Sequence, residues 1–235
     1  MRRPRRALRT ALICIGVMLV GACTGGSGSF AVPNGRILFE DDFEGEALDS
    51  SWAFTGADEG LFSLTDQPGF LRLSAKELTG GSSAPSQVLR EVSGDFLVQT
   101  KLEFDPGADR QLAGLVIEGR DGRTVTFGII SARFPRDTFR GLSGVAEQAG
   151  GADPETGFEA FKPDEVYLLI QRKGDVFSLA YSTDGREFTP LADLNADLSE
   201  DVQVGLGNAV RENCETRCND PSPAFFDFVE ILRPR

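Results

Sequence analysis

Hydrophobic and polar residues alternate with period two along most of this chain. In Asp95–Phe104, Phe96, Val98, Thr100, Leu102 and Phe104 fall on one face and Leu97, Gln99, Lys101 and Glu103 on the other. That is the pattern of a strand with one face in a core. Leu112–Glu118 is apolar on both faces, which suits a central strand, and Asp121-Gly122 turns it into Thr124–Ala132. Val166–Leu191 reads as three antiparallel strands joined by tight turns at Lys173-Gly174-Asp175 and Asp184-Gly185. Its first strand sets Val166, Leu168 and Ile170 against Tyr167 and Leu169, so both faces are expected to be covered.

Shorter strands are expected at 37–39, 61–65, 70–74, 86–92, 202–208 and 225–232, with a turn at Gln67-Pro68-Gly69 and a loop over 79–85. Between Arg133 and Pro163 the pattern loosens. One strand is expected near Phe139–Ala146, and the rest reads as loop. Leu191–Leu198 is the one place for a short helical turn. Meandering strands with one apolar face need a second sheet to cover them, so the chain predicts an all-β, two-sheet antiparallel sandwich.

Composition narrows the chemistry. Eighteen Phe stand against one Trp and two Tyr, and Phe, lacking a polar handle, is expected mostly in the core. The chain has no His, which excludes Ser-His-Asp and Cys-His hydrolases and HExxH metalloproteases. Residues 1–22 hold five Arg and no acid, so the rest carries 19 basic residues against 36 acidic ones, a net charge of −17. Such a surface repels nucleic acid, and no nucleic-acid partner is expected.

The N-terminus reads as an address. A basic segment, MRRPRRALRT, precedes the apolar ALICIGVMLV, which is too short for a comfortable membrane span. The following Gly21-Ala22-Cys23 resembles the lipobox of bacterial lipoproteins. That resemblance implies a signal peptide over 1–22, cleavage before Cys23, acylation of its thiol and a membrane as partner. The alternative is an ordinary secretory signal cleaved near Ala22. Residues 23–35 then form a Gly/Ser-rich tether to a domain over 36–235. The expected location is the cell envelope: the outer membrane of a two-membrane bacterium, or otherwise the outer face of the plasma membrane. In that oxidising setting Cys214 and Cys218 are expected to form a local disulfide, with free thiols as the alternative. A zinc site lacks further Cys or His ligands, and the spacing is not CxxC.

The order of motifs is similar to a known superfamily. DDFEGEALDSSW, then LAGLVIEGRDGRTVTFGI, the 166–191 hairpins, VQVGLGNA and FFDFVEI together resemble concanavalin A-like (laminin G-like) jelly-roll domains over roughly residues 37–233. The nearest likeness is to DUF1349-type domains and to the C-terminal module of family 43 glycoside hydrolases. The resemblance implies two curved sheets with first and last strands adjacent, and a concave face used as a carbohydrate groove.

Candidate sites follow from residues and resemblance together. The ExDxE spacing of the active strand in laminarinase-type relatives occurs here only as Glu40-x-Asp42-x-Glu44, at the first strand, where the resemblance places the opening motif. Glu40, Asp42 and Glu44 alternate at the first strand, as a solvated acidic edge or a cation site. Alternation in Phe225–Ile231 puts Asp227 on an apolar inward face, where a carboxylate needs backbone hydrogen bonds, a basic partner or a metal. The resemblance implies a structural calcium and, matched residue by residue, makes Glu40, Gly45 and Asp227 its candidate ligands. No cofactor is expected to be required. For a sugar, Trp52, Tyr167 and Tyr181 are the aromatic candidates, and Gln171, Arg172 and Asn208 the polar ones on the concave side. Trp52 also reads as a packing anchor, and Tyr181 as a core residue with its hydroxyl at the rim. The expectation is a non-catalytic, lipid-anchored extracytoplasmic domain with a glycan ligand. The alternatives are a structural or assembly lipoprotein that binds an envelope protein, and a glycoside-active enzyme.

Overall fold

The computed structural model describes residues 35–56, 58, 61–76, 85–134, 137–148, 155–210 and 221–234. The signal peptide, the tether with Cys23, and the Cys214–Cys218 loop lie outside them. Fifteen strands form two antiparallel sheets, and among the described residues there is no α-helix. In chain order they are β1 (Gly35–Asp41), β2 (Ala53–Thr55), β3 (Phe62–Ser63), β4 (Leu71–Ser74), β5 (Ser86–Ser93), β6 (Phe96–Glu103), β7 (Gln111–Gly119) and β8 (Thr124–Phe134). There follow β9 (Asp137–Ala146), β10 (Glu155–Ala160), β11 (Glu165–Lys173), β12 (Val176–Ser182), β13 (Thr189–Asn195), β14 (Asp201–Val210) and β15 (Pro223–Pro234).

The eight-stranded sheet runs β13-β12-β11-β6-β15-β4-β3, and β1 lies against the C-terminal half of β15 beyond β4. The seven-stranded sheet runs β10-β9-β8-β7-β14-β5-β2. First and last strands are therefore neighbours, and the expected jelly-roll sandwich is what the chain forms.

The inward faces follow the alternation. Phe96, Val98 and Leu102 of β6 and Val166, Leu168 and Ile170 of β11 meet Ala113, Leu115, Ile117, Val125, Phe127 and Ile129 from the opposite sheet in one core cluster. A second, smaller cluster covers the outer face of the eight-stranded sheet. There Leu97, Leu169, Ala180 and Leu232 lie under Phe188, which the β12–β13 connection folds over them. The two-sided covering expected for Val166–Lys173 is thus real, and its physical source is that turn.

Three local expectations are corrected. Leu191–Leu198 forms no helical turn: its first five residues belong to β13, which pairs with β12 through a bulge between Leu179 and Ala180. The 133–163 stretch holds a second strand, β10, where Gly157 stands because a Cβ there would lie 2.6 Å from the Ala192 Cβ. Asp227 does not point into the core. A bulge between Phe226 and Phe228 adds a residue to β15, so Ala224 and Phe226 face inward before it, and Val229 and Ile231 after it. Asp227 is left on the outer face with its Oδ2 3.5 Å from Lys101 Nζ. A one-residue shift moves every later side chain to the other face.

Candidate functional site: the outer face of the seven-stranded sheet

Residues that alternate away from the core along β5, β7, β8, β9, β10 and β14 make up the outer face of this sheet. Its middle is lined by glycines. Gly207, Gly114 and Gly128 stand side by side on β14, β7 and β8, and the row continues through Ser143 to Phe158 on β10. These positions have no room for a side chain. A Cβ on Gly114 would stand 2.1 Å from the Phe127 carbonyl oxygen, and one on Gly205, in the next row, 1.9 Å from that of Val88. The obstruction is the backbone of the adjacent strand, so these positions mark close approach between strands and keep the middle of the face free of side chains.

Leu89, Leu112, Val116 and Val145 flank the glycines; they are buried, yet belong to no core cluster. The result is a trough with an apolar floor. Polar residues border it: Thr126 and Thr156 in the row of Gly205, and Glu91, Gln203, Glu118 and Thr124 aligned across β5, β14, β7 and β8.

At the β10 edge sits an aromatic pair. The rings of Phe139 and Phe158 lie 4.2 Å apart at 50° to each other, and Phe158 is 53% exposed. Phe139 fits because Gly141 has no side chain: a Cβ there would lie 2.7 Å from the ring. Sequence reasoning assigned Phe to the core and sought a platform among Trp and Tyr. The signal it passed over is the alternation Thr156-Gly157-Phe158-Glu159, which puts a lone ring on the same face as threonines.

The residues expected to bind a sugar lie elsewhere. Trp52 packs in the core, edge-on to Phe39, with Nε1 donating to Asp41 Oδ2 at 2.8 Å. Tyr181 faces inward, and its hydroxyl donates to Glu159 Oε1 at 2.7 Å. Tyr167 lies on the outer face of the other sheet, under Gly185. Gln171 is buried on that same outer face. Arg172 is only 4% exposed, and its guanidinium donates to the carbonyls of Gly174, Leu198, Ser199 and Glu200. Burial pulls its pKa down, against the raising charges of Asp95, Asp175 and Glu200. Asn208, expected on the concave side, is fully buried and points inward. It donates to the carbonyls of Leu73 (2.9 Å) and Ser222 (3.0 Å) and accepts from Gln111. These side chains tie loops to strands and do not converge.

The calcium candidates do not converge either. Asp227 is engaged by Lys101, Glu40 is exposed opposite Glu230, and Gly45 is exposed on the following loop. Among the described residues, no three His, Cys, Asp or Glu side chains are grouped to hold a metal ion.

Residues 40–231 match the model of the β-xylosidase C-terminal concanavalin A-like domain. The chain belongs to that family. No curated protein matches it. Among solved structures, this β-xylosidase-type module is similar to the GH43 protein BlXynB of Bacillus licheniformis, with TM-score 0.65 and 19% identity over 82% of this chain and 39% of that one. It is equally similar to the GH43B protein of a xyloglucan locus in Bacteroides ovatus, with TM-score 0.65 and 19% identity over 88% and 41% of the two chains. The chain thus spans about two-fifths of the length of these relatives. An immunostimulatory antigen and pseudo β-1,3-glucanase of Mycobacterium tuberculosis is matched along its whole length, with TM-score 0.62 and 16% identity over 86% of this chain. At these identities the likeness is one of fold.

Proposed function

We propose that this chain is a lipid-anchored, extracytoplasmic, non-catalytic domain that binds a glycan along the outer face of its seven-stranded sheet. The observation that carries the reading is the exposed Phe158, stacked on Phe139 at the edge of a glycine-floored trough. An aromatic face beside a glycine floor with hydroxyl and carboxylate borders suits a sugar ring, whose C–H faces stack while its hydroxyls need polar partners. Family membership and the relatives' names, which refer to xylosidases, xyloglucan and β-1,3-glucan, support a polysaccharide. The non-catalytic part rests on the absence of His and on the place of the one ExDxE run, whose Glu40 lies exposed near the end of β1 while Asp42 and Glu44 lie exposed on the loop after it.

Affinity electrophoresis of the mature chain in gels containing xylan, xyloglucan or laminarin tests the binding. Retardation by one of them that is lost in Phe158→Ala is the expected result. No retardation by any glycan, with a reproducible protein cross-link instead, would replace the reading with that of an assembly lipoprotein. Hydrolysis of the same panel would overturn the non-catalytic part. The anchor is tested separately: Cys23→Ser should move the protein from the membrane to the soluble fraction, since stable attachment needs the acyl chains.

A further inference from the structure

Two polar side chains in the glycine row are buried without partners. Gln87 of β5 stands beside Gly207 of β14, and at the other end Ser143 of β9 precedes Phe158. Gln87 is 8% exposed and Ser143 7%, yet neither side chain has a hydrogen-bond partner among the described residues. Buried polar groups are paired as a rule, as Gln111, Asn208 and Arg172 are here. Gln87 leans toward the glycines: a Cβ on Gly207 would stand 3.3 Å from its Cγ. The polar atoms of Gln87 and Ser143 are not sealed from the surface, so both open onto the trough.

The rows on either side, Leu89 to Thr156 on one and Ala209 to Ala160 on the other, carry no charged side chain. Glu91 and Glu118 stand four residues along their strands from Gln87 and Gly114, about 13 Å away. An ion laid on this floor would lose its water and find no counter-charge. A carboxamide and a hydroxyl each donate and accept, which is what a neutral, hydroxyl-bearing ligand requires. From Gln87 to Phe158 the row crosses six strands, a span of about 24 Å. One sugar ring cannot touch both ends. A chain of several can, with its ring faces over the three glycines between.

We propose that Gln87 and Ser143 are the specificity-determining contacts for an uncharged, extended glycan laid across the strands, its chain reaching from the Gln87 carboxamide to the Phe158 ring. The inference rests on the glycan-binding reading and narrows it to a neutral polymer gripped along its length, not by a single terminal sugar. Gln87 holds the far end, so it matters only to ligands long enough to arrive there. Ser143, next to Phe158, matters to all of them.

The test is calorimetry on the mature chain with β-1,4-linked xylose and glucose oligomers and β-1,3-linked glucose oligomers, from disaccharide to hexasaccharide. In the series that binds, the hexasaccharide should exceed the disaccharide in affinity by about tenfold or more. Gln87→Leu, close in volume, should bring the hexasaccharide to within about twofold of the disaccharide and leave the disaccharide unchanged. Ser143→Ala should weaken both. Because each change removes an unpaired polar group, neither should lower the melting temperature, which separates this role from a structural one. A hexasaccharide of galacturonic acid should bind about tenfold more weakly than the neutral one, or less. Affinity independent of length, a hexasaccharide unaffected by Gln87→Leu, equal binding of the charged hexasaccharide, or losses matched by a lower melting temperature each overturn the row. Phe158-dependent retardation in gels would then leave the wider reading standing. No binding of any oligomer, with no retardation by any glycan, overturns both.

Discussion

The hydroxyl of Tyr181 and the carboxylate of Glu159 join the two sheets, at 2.7 Å from β12 to β10. Burial, then the hydrogen bond and charge of Glu159, push the tyrosine's pKa from 10.0 up to about 12. Folding therefore favours the protonated phenol. The contribution is fully present below pH 10 and is lost as pH rises through about 12. Tyr181→Phe should lower stability by about 1–2 kcal/mol at neutral pH. Urea midpoints should show the gap between wild type and variant shrinking from pH 9 to pH 12. A gap that does not change with pH would show that the hydroxyl does not carry the contribution.

Gly114 and Gly128 face each other across β7 and β8 with no space for a Cβ on either; a methyl at Gly128 would sit 1.9 Å from the Ala113 carbonyl oxygen. Because the obstruction is backbone, the sheet itself must move. Gly114→Ala or Gly128→Ala should each cost on the order of 3 kcal/mol. Gly94→Ala, where nothing lies within 4 Å but φ is +72°, should cost about 1 kcal/mol through the left-handed backbone alone. Chemical denaturation of the three variants gives the order directly.

Lys101 sits among Glu103 (3.3 Å), Glu165 (3.4 Å) and Asp227 (3.5 Å) on the outer face of the other sheet. Burial alone would lower its pKa, but the hydrogen bond it donates to Glu103 and the three negative charges outweigh it and raise it. Lys101→Met keeps the volume and leaves three carboxylates facing one another. The variant should be destabilised by about 1–2 kcal/mol near neutral pH. It should recover part of that loss in high salt, which screens the carboxylates from one another. A loss insensitive to salt would assign the role of Lys101 to its alkyl chain.

How far the fold was legible turns on these same places. Alternation in Asp95–Phe104 and the glycine turns at 174 and 185 announced strands, because a side-chain period of two and a positive φ leave direct traces in sequence. The bulge at Phe226–Phe228 left none, and it alone moved Asp227 from the core face to the side of Lys101. Arg172 and Asn208 read as solvated polar residues because the carbonyls they satisfy, that of Gly174 apart, come from residues 14 to 135 positions away. The candidate site was least legible. Its floor is made of glycines that look like turn formers, and its platform of a residue type that eighteen copies had assigned to the core.

Phe158 is where stability and binding should separate most clearly. Its ring is more than half exposed and touches Phe139 on an edge strand, so its removal forfeits one ring contact and little core. Phe158→Ala should shift the unfolding free energy by about 1 kcal/mol or less. Trp52→Ala, by contrast, empties a core position and takes the indole donor from Asp41 Oδ2; it should cost about 3–5 kcal/mol. The two aromatics therefore give opposite signatures. Glycan affinity should collapse in Phe158→Ala while the melting curve barely moves. Trp52→Ala should lower the melting temperature sharply but keep its affinity in whatever fraction stays folded. Should Phe158→Ala keep full affinity and Trp52→Ala lose it while still folded, the binding surface would lie near the opening strand and not on the glycine-floored face.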